Sequence, residues 1–285
     1  MKNLVLKLLM ILVISIFIFT SCSEGESIND TEATIEDETI ALVEADDVLN
    51  DVDSLVDDLW WSIDDSVAGK SDGNKDPFLS CMIKTRVEEG ETTIITLDFG
   101  SDCTLPFQNV VLSGKIIMEY IRDMENKTRT IRYTYDDFYY NDLKIEGVTR
   151  VAKTSENENG FREITRNFDV KIIWPSSKFI TRKGTKVREL IEGYETRGNW
   201  GDNVFSITGS WVSTFKNGIV LTATIVNPLI RKTACRFIVS GTIEKQKNER
   251  FGTLDFGDGT CDNVAIFTND DGEEIEIVLR KRRRK

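Results

Sequence analysis

The chain has 285 residues, 48 acidic against 36 basic side chains and a formal net charge of −12. It holds no histidine, which removes Ser-His-Asp and Cys-His catalysis, histidine metal ligation and the usual near-neutral general base. Carboxylate-pair hydrolysis survives this test while most other hydrolase chemistry does not, and the acidic balance gives no support to nucleic-acid binding.

Lys2 and Lys7 precede an apolar run from Leu8 to Phe19 that only Ser15 interrupts, and Thr20, Ser21 and Cys22 follow. A basic start, an apolar stretch and a small-residue cleavage zone predict a signal peptide over residues 1–21. A transmembrane helix needs about 20 apolar residues, and this run ends sooner. Phe19-Thr20-Ser21-Cys22 resembles a lipobox, the site where lipoprotein signal peptidase cuts before a diacylglycerol-modified cysteine, with Phe19 in place of the usual Leu. The resemblance implies lipidation of Cys22, and Ser23 after it resembles lipoproteins sorted to the cell outer membrane. Glu24 and Glu26 resemble the short export signals of surface lipoproteins in the Bacteroidota. The expected location is therefore lipid-anchored, periplasmic or surface-exposed. An anchor of more than one acyl chain holds stably at about 0.8 kcal/mol per buried methylene.

Charge is unevenly spread. From Ser23 to Pro77, 18 Asp and Glu residues face only Lys70 and Lys75, a net of −16. With +2 in the leader and −12 overall, residues 78–285 carry +2. Residues 22–35 are polar and acidic and predict a tether without a core of its own.

Over residues 36–69 the apolar side chains Ala45, Val48, Val52, Leu55, Leu59, Ile63 and Val67 recur at steps of three and four, which predicts an amphipathic helix with Asp and Glu on its other face. Thr34 or Thr39 is placed to cap its start and Gly69 to end it. Asp57-Asp58 and Asp64-Asp65 sit in its C-terminal half, where the macrodipole disfavours anions. The helix therefore needs packing at Trp60 and its neighbours, and coverage of the following domain is the expected role. A partner-binding helix is the alternative. Asp53-Ser54-Leu55 and Asp65-Ser66-Val67 resemble the acceptor triplet of Bacteroidota O-glycosylation, a pattern short enough to arise by chance. Residues 70–77 read as a linker by composition.

From residue 78 to 279 the periodicity becomes alternating. Thr92 to Phe99, Lys127 to Tyr135, Arg162 to Trp174, Val204 to Phe215, Ile219 to Val226 and Glu273 to Leu279 read as strands, with turns at Lys216-Asn217-Gly218 and Asp270-Asp271-Gly272. About eleven to thirteen strands are expected, with no convincing second helix, so pairing should be antiparallel. Glycines inside apolar strands recur at Gly114, Gly147, Gly193, Gly209 and Gly241. Such glycines mark bends or close approaches. The expected fold is mainly β: an antiparallel curved meander or open barrel with one N-terminal amphipathic helix.

Thr96-Leu97-Asp98-Phe99-Gly100 followed by Cys103 returns as Thr253-Leu254-Asp255-Phe256-Gly257 followed by Cys261. Gly114 and Gly272 each lie eleven residues after the cysteine, and Cys81 and Cys235 lie upstream. An internal repeat is the economical explanation. Once Cys22 is set aside, four cysteines in an exported chain predict two disulfides with three possible connectivities. The repeat favours Cys81–Cys103 with Cys235–Cys261, each loop contributing about 3 kcal/mol in the chain-entropy model. Two such Asp-Phe-Gly segments with flanking cysteines, behind a lipobox-like leader and an acidic helix, resemble uncharacterised envelope lipoproteins of the Bacteroidota (Flavobacteria-like). That resemblance implies compartment and architecture only.

No residue set forms a catalytic, cofactor or metal signature. Asp-Phe-Gly here lacks the glycine-rich loop and His-Arg-Asp context of protein kinases. Asp255, Asp258, Asp262 and Asn263 crowd a glycine-rich loop without the spacing of a calcium loop, which makes local turns the expectation. Asp98 and Asp255 are the one carboxylate pair with a reason to be singled out for glycan hydrolysis. Tyr133, Tyr135, Phe138, Tyr139, Tyr140, Trp174, Trp200 and Trp211 read as core or cross-strand aromatics, with sugar stacking as the alternative. Arg280 to Lys285 form a basic tail, a candidate for anionic lipid phosphates or the acidic helix. The expected function is a membrane-tethered, non-enzymatic binding or envelope-structural protein whose partner is a glycan, a lipid or another protein. A carboxylate-based glycan hydrolase and an assembly subunit that uses the acidic helix are the alternatives.

Overall fold

The computed structural model describes residue 38, residues 40–57 and residues 81–279, apart from 91, 106–109, 124–127, 197–199 and 236. The expected signal peptide (1–21), Cys22, the tether (22–35), the linker (70–77), the helix beyond Asp57 and the tail (280–285) lie outside the described residues. The chain divides into two compact units, Met1–Glu44 and Ala45–Lys285. Helix α1 covers residues 40–57. Its start, with Leu42 and Val43 buried, falls in the first unit. The second unit holds α1 from Ala45 onward. Among the described residues no helix is long and apolar enough to cross a membrane.

Among its other described residues, the second unit forms one antiparallel sheet of fourteen strands. They are β1 (Ile83–Glu89), β2 (Thr92–Asp98), β3 (Cys103–Leu105), β4 (Val110–Asp123), β5 (Thr128–Tyr140), β6 (Leu143–Thr154) and β7 (Arg162–Ile173). Then follow β8 (Phe179–Glu192), β9 (Val204–Phe215), β10 (Val220–Lys232), β11 (Ile238–Lys247), β12 (Arg250–Asp258), β13 (Val264–Asn269) and β14 (Glu274–Val278). Strands pair in chain order from β1 to β14, except that β2 pairs β4 directly and the three-residue β3 pairs β4 at its side. β1 and β14 are the two ends of this order, so the sheet is open. Its meander follows from the sequence: most strands are joined by short turns, the β8–β9 connection carries a single 3-10 turn at Trp200–Asp202, and among the described residues no helical crossover intervenes.

One face of the sheet is buried along its middle strands, whereas edge strand β1 is exposed throughout. On β7 the alternate residues Arg166, Phe168, Val170 and Ile172 are buried while Asp169 is exposed. The same alternation runs through Leu143, Ile145, Thr149, Val151 and Lys153 of β6. Register shifts interrupt the ladder where sequence placed interior glycines. Gly114 has φ +76° and sits at the β4–β5 shift, where a Cβ would overlap the Asp137 carbonyl. Gly241, φ +105°, does the same against the Pro228 carbonyl at the β10–β11 shift. These bulges bend strands locally.

The expected helix exists, but its acidic face is not left to water. Ala45, Val48, Leu49, Val52 and Val56 are buried as an apolar stripe, whereas Leu55 is half-buried. Asp57 is buried as well, and Asp46 and Asp53 keep only 14% and 20% of their side-chain exposure.

Candidate functional site: a buried basic cluster engaged by an acidic helix

Asp46, Asn50, Asp53 and Asp57 occur at i, i+4, i+7 and i+11 and so share one side of α1. Facing them, the inward series of β8 is Ile180, Arg182, Gly184, Lys186, Arg188 and Leu190. Apolar ends hold both extremities of that series in the core, which forces the intervening cations inward too. Lys153 on β6, Arg166 on β7 and Lys245 on β11 add to the set, and all three are buried.

Arg182 donates to Asp46 at 2.7 Å, and Lys186 lies 3.8 Å from the same carboxylate while donating to Asn50 Oδ1 at 3.1 Å. Arg166 donates to Asp57 and lies 3.6 Å from Asp53. Asp57 also meets Arg188 at 3.3 Å and Lys153 at 3.7 Å. Two tyrosines of β5 complete the contact: Tyr133 donates to Asp53 at 2.6 Å and Tyr140 to Asp51 at 2.5 Å.

The cations are also held by rings. Arg182 lies 4.9 Å and Lys186 4.8 Å from the Trp211 ring centroid, and Arg188 sits 3.6 Å over Phe205. Trp211 fits because Gly184 is directly opposite it on β8, where any Cβ would overlap the Trp211 backbone and Cβ.

Burial by itself would raise Asp46, but Arg182, Lys186 and Lys245 override it and hold the carboxyl below its ordinary range. Asp57 behaves alike: Arg166, Lys153 and Arg188 outweigh desolvation. Burial pushes Lys245 down to about 8, Asp46 opposing and Arg182 reinforcing the shift. Lys186 is lowered by burial against the pull of Asp46. Burial, with Asp53 adding, drives the Tyr133 phenol well above its usual value, which fixes it as a donor.

Three carboxylates, Asp46, Asp53 and Asp57, thus face six cations: Lys153, Arg166, Arg182, Lys186, Arg188 and Lys245. Among the described residues, Lys245 Nζ and the Nε and Nη1 of Arg182 make no hydrogen bond although all are buried. Buried charges are ordinarily paired and fully hydrogen-bonded, so the arrangement is suited to holding further negative charge.

The residues singled out from sequence fall elsewhere. The cysteines pair as Cys81–Cys103 and Cys235–Cys261, with Cα separations of 5.2 and 5.7 Å. Asp98 and Asp255 each accept from the backbone N–H of a glycine two residues on, Gly100 at 2.9 Å and Gly257 at 2.7 Å, and Asp98 also pairs with Lys115. Asp258 accepts from Thr260 and Asp262 from Val264 in the same manner. Among the described residues no group of three metal-ligating side chains gathers. Tyr133, Phe138, Tyr140 and Trp211 are buried and Tyr135 stacks on Phe138 at 5.6 Å, so these aromatics belong to the core rather than to an exposed sugar platform. Ser54 of the Asp53-Ser54-Leu55 triplet donates to the Asn50 carbonyl within α1.

The basic cluster is not among the sites that the sequence predicts. Its local signal was present, since Arg182, Lys186 and Arg188 share alternation parity with Ile180 and Leu190. Comparison of the chain with protein-family models, with curated proteins and with solved structures finds no match.

Proposed function

We propose that the chain is a membrane-tethered, non-enzymatic binding or envelope-structural lipoprotein. It is anchored in the outer membrane by acyl chains on Cys22, with the sheet in the periplasm or at the cell surface. The cysteine pattern carries this reading. Of five cysteines, four form Cys81–Cys103 and Cys235–Cys261, and the fifth ends the lipobox-like Phe19-Thr20-Ser21-Cys22. Two disulfides fit an oxidising compartment, and a cysteine placed after an apolar leader fits a lipid anchor. The duplicated Asp-Phe-Gly segments act as structural corners in this reading.

A glycan hydrolase would want two carboxylates about 5 to 9.5 Å apart across a cleft. Asp98 and Asp255 each serve their own turn instead, and the buried acids of α1 are tied up in ion pairs. Those same pairs leave the helix poorly suited to recruit a second chain, which weighs against the assembly reading.

Mass spectrometry of the membrane-extracted protein tests the proposal. The expected N-terminal fragment begins at Cys22 and carries acyl mass, and Cys22→Ser releases the protein to the soluble fraction. An intact Met1 on the membrane-bound chain would refute it.

A further inference from the structure

Lys245, Ala223, Trp211 and Gly184 form one cross-strand row over β11, β10, β9 and β8. Cross-strand partners point to the same face, with about 5 Å between neighbours. The row alternates long and short: Ala223 and Gly184 are the small members on either side of Trp211. Lys245 therefore stands two strands along this row from the ring that carries Arg182 and Lys186. Asp46 and Arg182 both act on the Lys245 ammonium, which places the three groups in one electrostatic neighbourhood.

At this end of α1 the charges do not balance. Asp46 faces Arg182, Lys186 and Lys245, and even with Asp53 also acting on Lys186 these cations outnumber the carboxylates that reach them among the described residues. Lys186 spends its ammonium on Asn50, and Arg182 spends Nη2 on Asp46. The remaining donors, Arg182 Nε and Nη1 and Lys245 Nζ, are buried and have no acceptor among the described residues. Leaving charged donors unsatisfied away from water is costly. A dianionic tetrahedral oxyanion reduces that cost: it supplies two negative charges and oxygens for one open side of the guanidinium and for an ammonium.

We propose that Arg182 and Lys245 form a phosphate-binding site on the buried face of the sheet, beside Asp46, that takes a dianionic phosphate or phosphomonoester. A free ion and a lipid phosphomonoester headgroup present the same chemistry to these donors. The inference deepens the binding half of the function proposed above by naming a ligand class, and it does not depend on the anchor. Failure of phosphate binding leaves the Cys22 test untouched, and an unprocessed leader leaves this site untouched.

The test uses the full chain in detergent, stripped of bound anions, at constant ionic strength in chloride. Inorganic phosphate at about 10 mM is expected to raise Tm by about 4 °C. Lys245→Met is expected to weaken binding roughly tenfold, the loss of one charge-assisted contact. Lys183→Met on the exposed face of β8 should change nothing. Dihexanoyl phosphatidic acid separates the sources: tighter binding than inorganic phosphate assigns a lipid headgroup, and equal binding assigns the free ion. In the unmutated chain, NMR of the Lys245 ammonium should report a pKa that rises when phosphate is added. No Tm shift beyond chloride with either probe, an equal shift in Lys245→Met, or a Lys245 titration indifferent to phosphate would overturn the proposal.

Discussion

Arg182 of β8 donates to Asp46 of α1 at 2.7 Å across 136 residues of sequence, with the arginine side chain wholly buried and its guanidinium over the Trp211 ring. The pair ties the helix to the middle of the sheet. An apolar stripe on a helix fixes which side faces the core but tolerates small rotations and slides. A bond at 2.7 Å with Lys186 on Asn50 one turn further along does not tolerate them. The register of α1 on the sheet is therefore set by its polar side.

Breaking that pair from one side strands a buried charge. Asp46→Ala should destabilise the fold by about 3 to 5 kcal/mol, and Arg182→Met should cost less because its removal relieves the cationic excess. The double variant should cost clearly less than the sum of the two. Urea unfolding of the four proteins measures this. Additive losses would mean that the pair carries no coupling.

Acid should loosen the helix before the sheet. Asp46 and Asp57 are held below their ordinary value of 3.8 by the cations around them. In the unfolded chain they take up protons first as pH falls, so their stabilisation is complete above about 3.8 and drains away below it through the folded values. Protection of α1 amides in hydrogen exchange should fall in that range while strand amides of β5 to β8 persist. In Asp57→Asn the acid-dependent part should shrink. Simultaneous loss of helix and strand protection would contradict this order.

The apolar half of α1 was readable because helical periodicity is local: Ala45, Val48 and Val52 announce themselves within one window. The fate of Asp46, Asp53 and Asp57 was not. Their spacing puts them on one side of the helix, but whether that side meets water or Arg166 and Arg182 depends on strands more than a hundred residues away. Arg182, Lys186 and Arg188 carried a weaker local sign, their shared parity with Ile180 and Leu190. Charged residues usually mark the wet side of a strand, and here the ordinary reading fails because a helix supplies the counter-charge. The cysteine pairing, by contrast, was accessible without any fold, since two matching segments offered the same partner twice.

Gly184 is the residue that admits Trp211. A methyl group there would meet the Trp211 Cα and Cβ and the Ser210 carbonyl, which belong to the paired strand and cannot swing aside. Gly184→Ala should cost about 1 to 3 kcal/mol, the range for overpacking a filled core. It should also alter the near-ultraviolet circular dichroism of the displaced indole. Thermal unfolding and that spectrum together check it, and an unchanged indole signal with full stability would show that β8 and β9 can separate at this point.

Lys245 gives the opposite pH signature to the carboxylates. Its folded pKa of about 8 lies below the ordinary lysine value of 10.5, so between these values the unfolded chain holds the proton that the folded chain has released. Stability therefore rises with pH across that window, by up to about 3 kcal/mol for a shift of this size. Lys186, lowered in the same direction, adds to the slope. Tyr133 and Tyr135 are raised from 10.0 and oppose it at higher pH, because the unfolded phenols ionise first. The clean region is therefore between about 8 and 10. In phosphate-free buffer the unmutated chain should gain stability on going from pH 8 to pH 9.5, and Lys245→Met should be more stable at pH 7 and keep only the shallower slope that Lys186 contributes over the same span. Guanidinium unfolding at about four pH values resolves the two slopes. A Lys245→Met profile as steep as that of the unmutated chain would place the titration on another group.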